Sequence, residues 1–194
     1  MKTLKRTYRN TKQILEFAHN FLPDTVEKLS VDDTELTLFP ELAVRTGDRP
    51  ELIGFENQSD LIRYILDKII EARNRLGSFS SICLAFQSSK NISYYNSLLA
   101  ELKDKKIPFS EIVSKQSKLD FDITKDEVKL MTIHGVKGYE FDTVFLIGLD
   151  SLKIPNQERL IFVGITRAAN FLYIPFLKAN SDNPYIKKLE DAYI

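Results

Sequence analysis

Residues 130–142 read LMTIHGVKGYEFD, and residues 143–148 continue as TVFLIG. The first stretch carries a strand, Val128–Ile133, into a turn crowded with His134, Gly135, Lys137, Gly138 and Glu140. The second is an almost wholly apolar strand. Half-buried strands alternate polar and apolar residues, so a strand without alternation predicts a parallel sheet covered on both faces. The glycines permit a tight turn with close backbone approach. The polar side chains then project where a buried sheet ends, and in open parallel sheets such ends, at the carboxyl side of the strands, are where working residues gather.

The rest of the chain agrees with that sheet. Asn10 or Thr11 can cap a helix running to about Asn20, with Ile14, Leu15, Phe17 and Ala18 on its apolar side. Residues 22–49 read as a long irregular connection, with a hairpin around Leu36–Phe39. Glu51–Phe55 is predicted as a short strand. Ser59 is predicted to cap a long helix with an apolar stripe at Leu61, Ile62, Ile65, Leu66, Ile69, Ile70 and Leu76, stopped by Gly77. Ser81–Phe86 reads as a buried strand and Asn91–Lys105 as a helix. Further on, Gln157–Ala168 reads as a helix, Phe171–Pro175 as a strand and Pro184–Ala192 as a closing amphipathic helix. Strands alternating with helices predict an α/β fold with a parallel sheet and helices on both faces.

Composition narrows the function classes. The 194 residues hold 43% apolar and 28% charged side chains, which suits a single globular unit over 1–194 that buries a real core. Lys plus Arg equals Asp plus Glu at 27 each, so binding of nucleic acid by bulk charge alone is disfavoured and a localised contact is left open. One cysteine, Cys83, excludes a disulfide framework and a Cys-based zinc site. With two histidines far apart, no metal site is expected. No apolar run approaches the ~20 residues of a membrane span, and MKTLKRTYRN leads into no apolar stretch of a signal peptide, so a cytoplasmic protein without a membrane partner is expected. Cys83 reads as a small buried hydrophobe, Tyr95 as core at helical spacing, and His19 as an ordinary helix residue.

The sequence contains no G-x-x-x-x-G-K-[ST], no G-x-G-x-x-G and no G-x-S-x-G. It therefore lacks the loop that cradles nucleotide phosphates and is not expected to hydrolyse ATP alone. A second notable segment is QERLIFVGITRA, residues 157–168, a largely apolar helix with Arg167 near its end. Together these segments resemble superfamily 1 helicases of the UvrD/Rep/PcrA type. Leu130–Asp142 resembles motif V of that family and Gln157–Ala168 its motif VI. The start, LKRTYRNTKQILEFAHNF, is similar to motif IV, and SICLAF with LKDKKIPF (within 81–109) to the segment that follows. The resemblance spans nearly the whole chain and implies the second RecA-like motor domain, one without its own phosphate loop.

The resemblance implies roles at the matching positions. Tyr8 corresponds to the aromatic that stacks on adenine, Arg9 to an arginine near the γ-phosphate, and Arg167 to the arginine finger. Glu140 corresponds to the acid that reaches the ribose. Thr132 and His134 correspond to residues touching single-stranded DNA. Lys137 and Gly138 lie between the two contacts, with Lys137 on the DNA side and Gly138 on the nucleotide side. The implied cofactor is ATP with Mg2+, the ion being held mainly by a first motor domain. Two departures stand out. Motif VI usually opens Glu-Glu-Arg-Arg and here reads Gln157-Glu158-Arg159-Leu160. The first motor domain and the large 2B insertion before motif V are both lacking, so the chain reads as a C-terminal piece of a longer protein. The short run from Ser110 to Glu127 resembles the helicase IV or HelD-like branch. Three functions are therefore implied as alternatives: a DNA helicase or single-stranded DNA translocase, an ATP-driven remodeller of RNA polymerase, and a non-catalytic interaction module. The retained Arg9 and Arg167 speak against the third, and His134 speaks for the first.

Overall fold

In a computed structural model, residues 7–22, 43–113, 117 and 121–193 are described, with the side chains of Thr7 and Tyr8 outside that set. The hairpin expected around Leu36–Phe39 lies outside the described residues. Eight strands and five α-helices follow in chain order among them: β1 Thr7–Thr11, α1 Lys12–Phe21, β2 Ala43–Arg45, β3 Glu51–Phe55, α2 Gln58–Leu76, β4 Ile82–Phe86, α3 Tyr95–Asp104, β5 Phe109–Ile112, β6 Val128–Thr132, β7 Phe141–Leu146, α4 Glu158–Ile165, β8 Ala168–Leu177 and α5 Pro184–Asp191. Six strands form one sheet in the order β3-β8-β7-β4-β6-β5, and every pairing is parallel. β1 and β2 form a separate parallel pair.

Alternation along the central strands sends side chains to two apolar layers. On β4, Ile82, Leu84 and Phe86 join the layer under α2 and α3, while Cys83 and Ala85 join the layer under α1, α4 and α5. All five β4 residues are therefore buried. The same geometry explains TVFLIG: Val144 and Leu146 face one layer and Phe145 and Ile147 the other. Cys83 is fully buried, and burial pushes its thiol pKa well up, so it stays a neutral core group. Tyr94 and Tyr95 are both buried, and the Tyr95 hydroxyl lies 2.7 Å from Glu111 Oε1. Neither offers a stacking platform.

Several element boundaries differ from the sequence expectation. The cap of α2 is Asn57, whose side-chain oxygen accepts from Asp60 N at 2.9 Å, and Ser59 falls inside the first turn. Gly77 ends that helix with a left-handed φ of 74°, which costs glycine nothing. Helix α3 starts at Tyr95, because Ser89–Asn91 form a 3₁₀ turn. Helix α4 stops at Ile165, and Thr166 N and Arg167 N bond back to Phe162 O and Gly164 O. Arg167 O then accepts from Phe141 N at 3.1 Å, which draws the chain into β8 three residues earlier than expected. β1, β2 and β5 were not expected as strands. They are short and lack apolar alternation, and pairing partners make them extended.

Among the described residues no helix is long and apolar enough to cross a membrane. The turn before β6 is fastened by Asp126, which accepts from Phe79 N at 2.5 Å and from Ser78 Oγ at 2.8 Å. These bonds hold its carboxyl below the usual carboxylate range. A depressed folded-state pKa means the unfolded chain binds more protons between the two values, so stability rises with pH there. The contribution is present above the ordinary Asp pKa and is lost as pH falls through the depressed one. Asp126→Asn is expected to flatten this acid limb in urea midpoints measured from pH 6 down to pH 2 (about the range below ordinary carboxylate values). An unchanged limb would mean that the bonds carry no weight.

Candidate functional site

The carboxyl-edge expectation holds for one group of residues and fails for the other. Thr132 ends β6, and His134 follows in the turn, on the carboxyl edge. Glu140 and Arg167 lie at the opposite edge, each immediately before a strand, β7 and β8 respectively. The reason is topological. β7 and β8 are parallel neighbours with Phe141 opposite Ala168, so the residues preceding them must be neighbours too. The segment 133–140 connects the two edges. It leaves β6 and enters β7 with β4 between them, and it buries Ile133 and Val136 in the α1, α4 and α5 layer. Strands of five or six residues make that traverse about 16–20 Å.

The connecting turn is locally determined. Gly135 N donates to Thr132 O at 2.7 Å and to Thr132 Oγ1 at 3.1 Å. Val136 N bonds Thr132 O, and Tyr139 N bonds Val136 O. Gly138 has φ +89° in open space, so glycine is needed there for conformation and not for room. His134, Lys137 and Glu140 are exposed, and Thr132 is half-buried. The turn therefore presents an imidazole and an ammonium to solvent from a fixed backbone.

The amino-edge group is tied together by residues from five separate stretches of the chain. Arg9 Nε forms an ion pair with Glu140 Oε1. Asn10 is fully buried, and its Nδ2 donates to Thr166 O at 2.9 Å and Ala168 O at 2.6 Å. Arg167 is 3% exposed, with Nε donating to Val163 O at 3.3 Å and Nη1 to Tyr139 O at 3.4 Å. Arg45 Nη1 donates to Arg9 O at 3.3 Å, and Arg45 Nη2 donates to Asn170 Oδ1. Asn170 Nδ2 donates to Asp142 Oδ2 at 2.5 Å, and Asp142 Oδ1 accepts from Arg75 Nη2 at 2.8 Å. The structure thus gathers Arg9, Glu140 and Arg167 in one place and leaves Thr132, His134 and Lys137 on the connecting turn. Tyr8 lies on β1 beside Arg9, with its side chain outside the described residues.

The sequence reading missed Asn10, Arg45, Asn170 and Asp142. Asn10 carried a signal as the residue directly after the paired Tyr8 and Arg9, and Asp142 as the last residue of the LMTIHGVKGYEFD stretch. Arg45 and Asn170 lie in short stretches without a motif. Chemically the edge offers guanidinium groups, the carboxylates of Glu140 and Asp142 and the buried amide of Asn10, and the guanidinium groups suit an anionic ligand. Cavities of about 330 Å³, beside α1 and Tyr193, and about 480 Å³, beside β3, share no lining residue with either group. Among the described residues no cluster of three or more His, Cys, Asp or Glu could hold a metal ion.

Comparison with known proteins adds ancestry to this geometry. The family model for the UvrD-like helicase C-terminal domain matches residues 2–119 and 109–179. The ATP-dependent DNA helicase PcrA of Bacillus subtilis is 32% identical over 120 residues, covering 56% of this chain and 16% of that protein. The ATP-dependent DNA helicase Rep of Buchnera aphidicola (subsp. Schizaphis graminum) is 35% identical over 83 residues, covering 37% and 12% respectively. DNA helicase II of Escherichia coli K12 is 36% identical over 67 residues, covering 28% and 9%. The matched regions thus make up less than a fifth of these relatives. The crystal structure of the C-terminal domain of a possible DNA helicase from Lactobacillus plantarum shares the fold, with a TM-score of 0.64 at 17% identity and 94% of each chain covered.

Proposed function

The chain belongs to the UvrD-like helicase C-terminal domain family, and from that premise we propose that it is the second RecA-like motor half of an ATP-dependent DNA helicase or single-stranded DNA translocase. The unit is residues 1–194, working against a first motor domain that carries the phosphate loop and the acid that holds Mg2+. ATP binds between the two. From this side Tyr8 stacks on the base, Glu140 reaches the ribose with Gly138 shaping the approach, and Arg9 and Arg167 neutralise charge on the transferring γ-phosphoryl group. Preorganised cations at developing charge are the main device of phosphoryl transfer. Thr132, His134 and Lys137 hold single-stranded DNA.

One observation carries this reading: a single short segment, 133–140, bears the exposed His134 near one sheet edge and at the other supports both arginines. Glu140 pairs with Arg9, and Tyr139 O accepts from Arg167. A triphosphate at this edge competes with the Glu140 carboxylate for the same Arg9 guanidinium. Differential affinity of the two cleft states for nucleotide and DNA then drives movement along the strand.

The test is ATP hydrolysis by the complete motor, this domain with its first motor domain, with and without single-stranded DNA. Turnover is expected to rise strongly with DNA, and His134→Ala is expected to weaken DNA affinity roughly tenfold, the scale of one lost base contact. Turnover indifferent to DNA would favour a motor acting on a protein such as RNA polymerase.

A further inference from the structure

We propose that Asn10 is a positioning residue that fixes Arg9 and Arg167 as one rigid pair. The inference rests on the motor-half reading above and concerns the same phosphoryl-binding edge.

β8 is ten residues long, but β3 pairs only with its second half, from Tyr173 to Leu177. On its other side β7 pairs from Ala168 onward. Among the described residues no strand of the six-stranded sheet pairs with the other edge of the β8 opening, and β1, which carries Asn10, lies against it. Carbonyls along a strand alternate in direction. Arg167 O points to β7 and accepts from Phe141 N, while the carbonyls on either side of it, Thr166 O and Ala168 O, point the other way. Both of those accept from the one Nδ2 of Asn10, at 2.9 and 2.6 Å. A single carboxamide thus brackets Arg167 and holds its main chain from the side opposite β7.

Asn10 is the residue next to Arg9 on β1. The Arg9 carbonyl is itself held by Arg45 at 3.3 Å, and its guanidinium by Glu140. The main chains of the two arginines are therefore joined through one peptide unit, the short buried side chain of Asn10 and its two hydrogen bonds. A primary amide is the suitable group, because it supplies two N–H donors from one nitrogen. A hydroxyl supplies one, and a carboxylate supplies none and would face two carbonyl oxygens. Two cations that must meet one phosphoryl group gain from fixed spacing, and a misplacement of ~1 Å can cost about 10²-fold in rate.

The experiment is a double-mutant cycle on kcat in the complete motor with saturating single-stranded DNA. Asn10→Ala is expected to lower kcat by about 10- to 100-fold with KM for ATP within about threefold. In the Arg167→Ala background the same change is expected to cost less than about twofold, since a residue acting through Arg167 has nothing left to position. Full additivity with an active wild-type motor overturns the inference alone, because a merely structural residue costs the same in both backgrounds. Absence of DNA-stimulated turnover in the wild type overturns the motor reading itself. Where Asn10→Ala does not fold, Asn10→Ser runs the same cycle. In the unmodified 194-residue chain, scalar couplings across the hydrogen bonds from the Asn10 amide to the Thr166 and Ala168 carbonyls are expected by NMR, and their absence also overturns the inference.

Discussion

Replacing Arg167 by alanine is expected to slow ATP hydrolysis by the complete motor about 10³–10⁵-fold, the usual consequence of losing an arginine finger. ATP affinity is expected to change little, because in the proposed motor the phosphate loop and its metal lie on the other domain. The geometry of Arg167 explains how a side chain only 3% exposed can act this way. Its guanidinium is held by two main-chain carbonyls at 3.3 and 3.4 Å, the long end of the hydrogen-bond range. Bonds from a guanidinium to phosphate oxygens are shorter and about twice as strong as neutral ones. In the motor proposed above, a phosphate oxygen adds a charge that these carbonyls lack, so nucleotide bound against the first domain would draw the guanidinium towards it. Arg167→Lys is expected to restore little, since an ammonium cannot present the fork of a guanidinium. Single-turnover hydrolysis alongside nucleotide binding separates the two effects. Turnover unchanged in Arg167→Ala would remove the finger role, and equal losses in binding and turnover would make Arg167 a general binding residue.

The parts of this molecule legible in its sequence are those where burial dictates residue type. Most of the almost wholly apolar 143–148 stretch does fall in a central strand, Phe141–Leu146, buried from both sides, and the stripe Leu61, Ile62, Ile65, Leu66 and Ile69 does face the core. Ile70, from the same stripe, is 39% exposed, because it falls just past the buried arc of the helix. β1 and β2 were not legible, since TYRNT and AVR have no pattern of their own and owe their shape to each other and to Asn10. The candidate site was legible as motif residues and illegible as a place. Strand ends were read as carboxyl ends, yet Glu140 and Arg167 gather where β7 and β8 begin, because adjacency of those strands is a property of sheet order that no local pattern encodes. Asn10 and Arg45 were missed for the same reason: their partners lie far along the chain.

The largest stability effect is expected at Phe145. It sits fully buried in the middle of β7, opposite Leu84 of β4 on one side and Tyr173 of β8 on the other. Those three side chains form a row across the sheet beneath α2 and α3. Phe145 stacks on Tyr173 with ring centroids 5.0 Å apart and 30° between planes, and Lys68 Nζ lies 5.3 Å from the Tyr173 ring centroid. Truncation to alanine removes the ring, its dispersion contacts and the stacking, and leaves a void that flanking strands cannot close, since β4 and β8 are held in register by their own ladders. The cost is expected to be about 3–5 kcal/mol. It should appear as a lower urea midpoint with an unchanged slope, because the surface exposed on unfolding is nearly the same. The edge where β7 and β8 begin should be spared wherever the variant is still folded, as the ring lies in the α2 and α3 layer, whereas the neighbours Val144 and Leu146 face the layer of α1, α4 and α5. A loss below about 1 kcal/mol would mean that the site collapses freely, and β7 would then not be the rigid central strand on which Glu140 and the arginines depend.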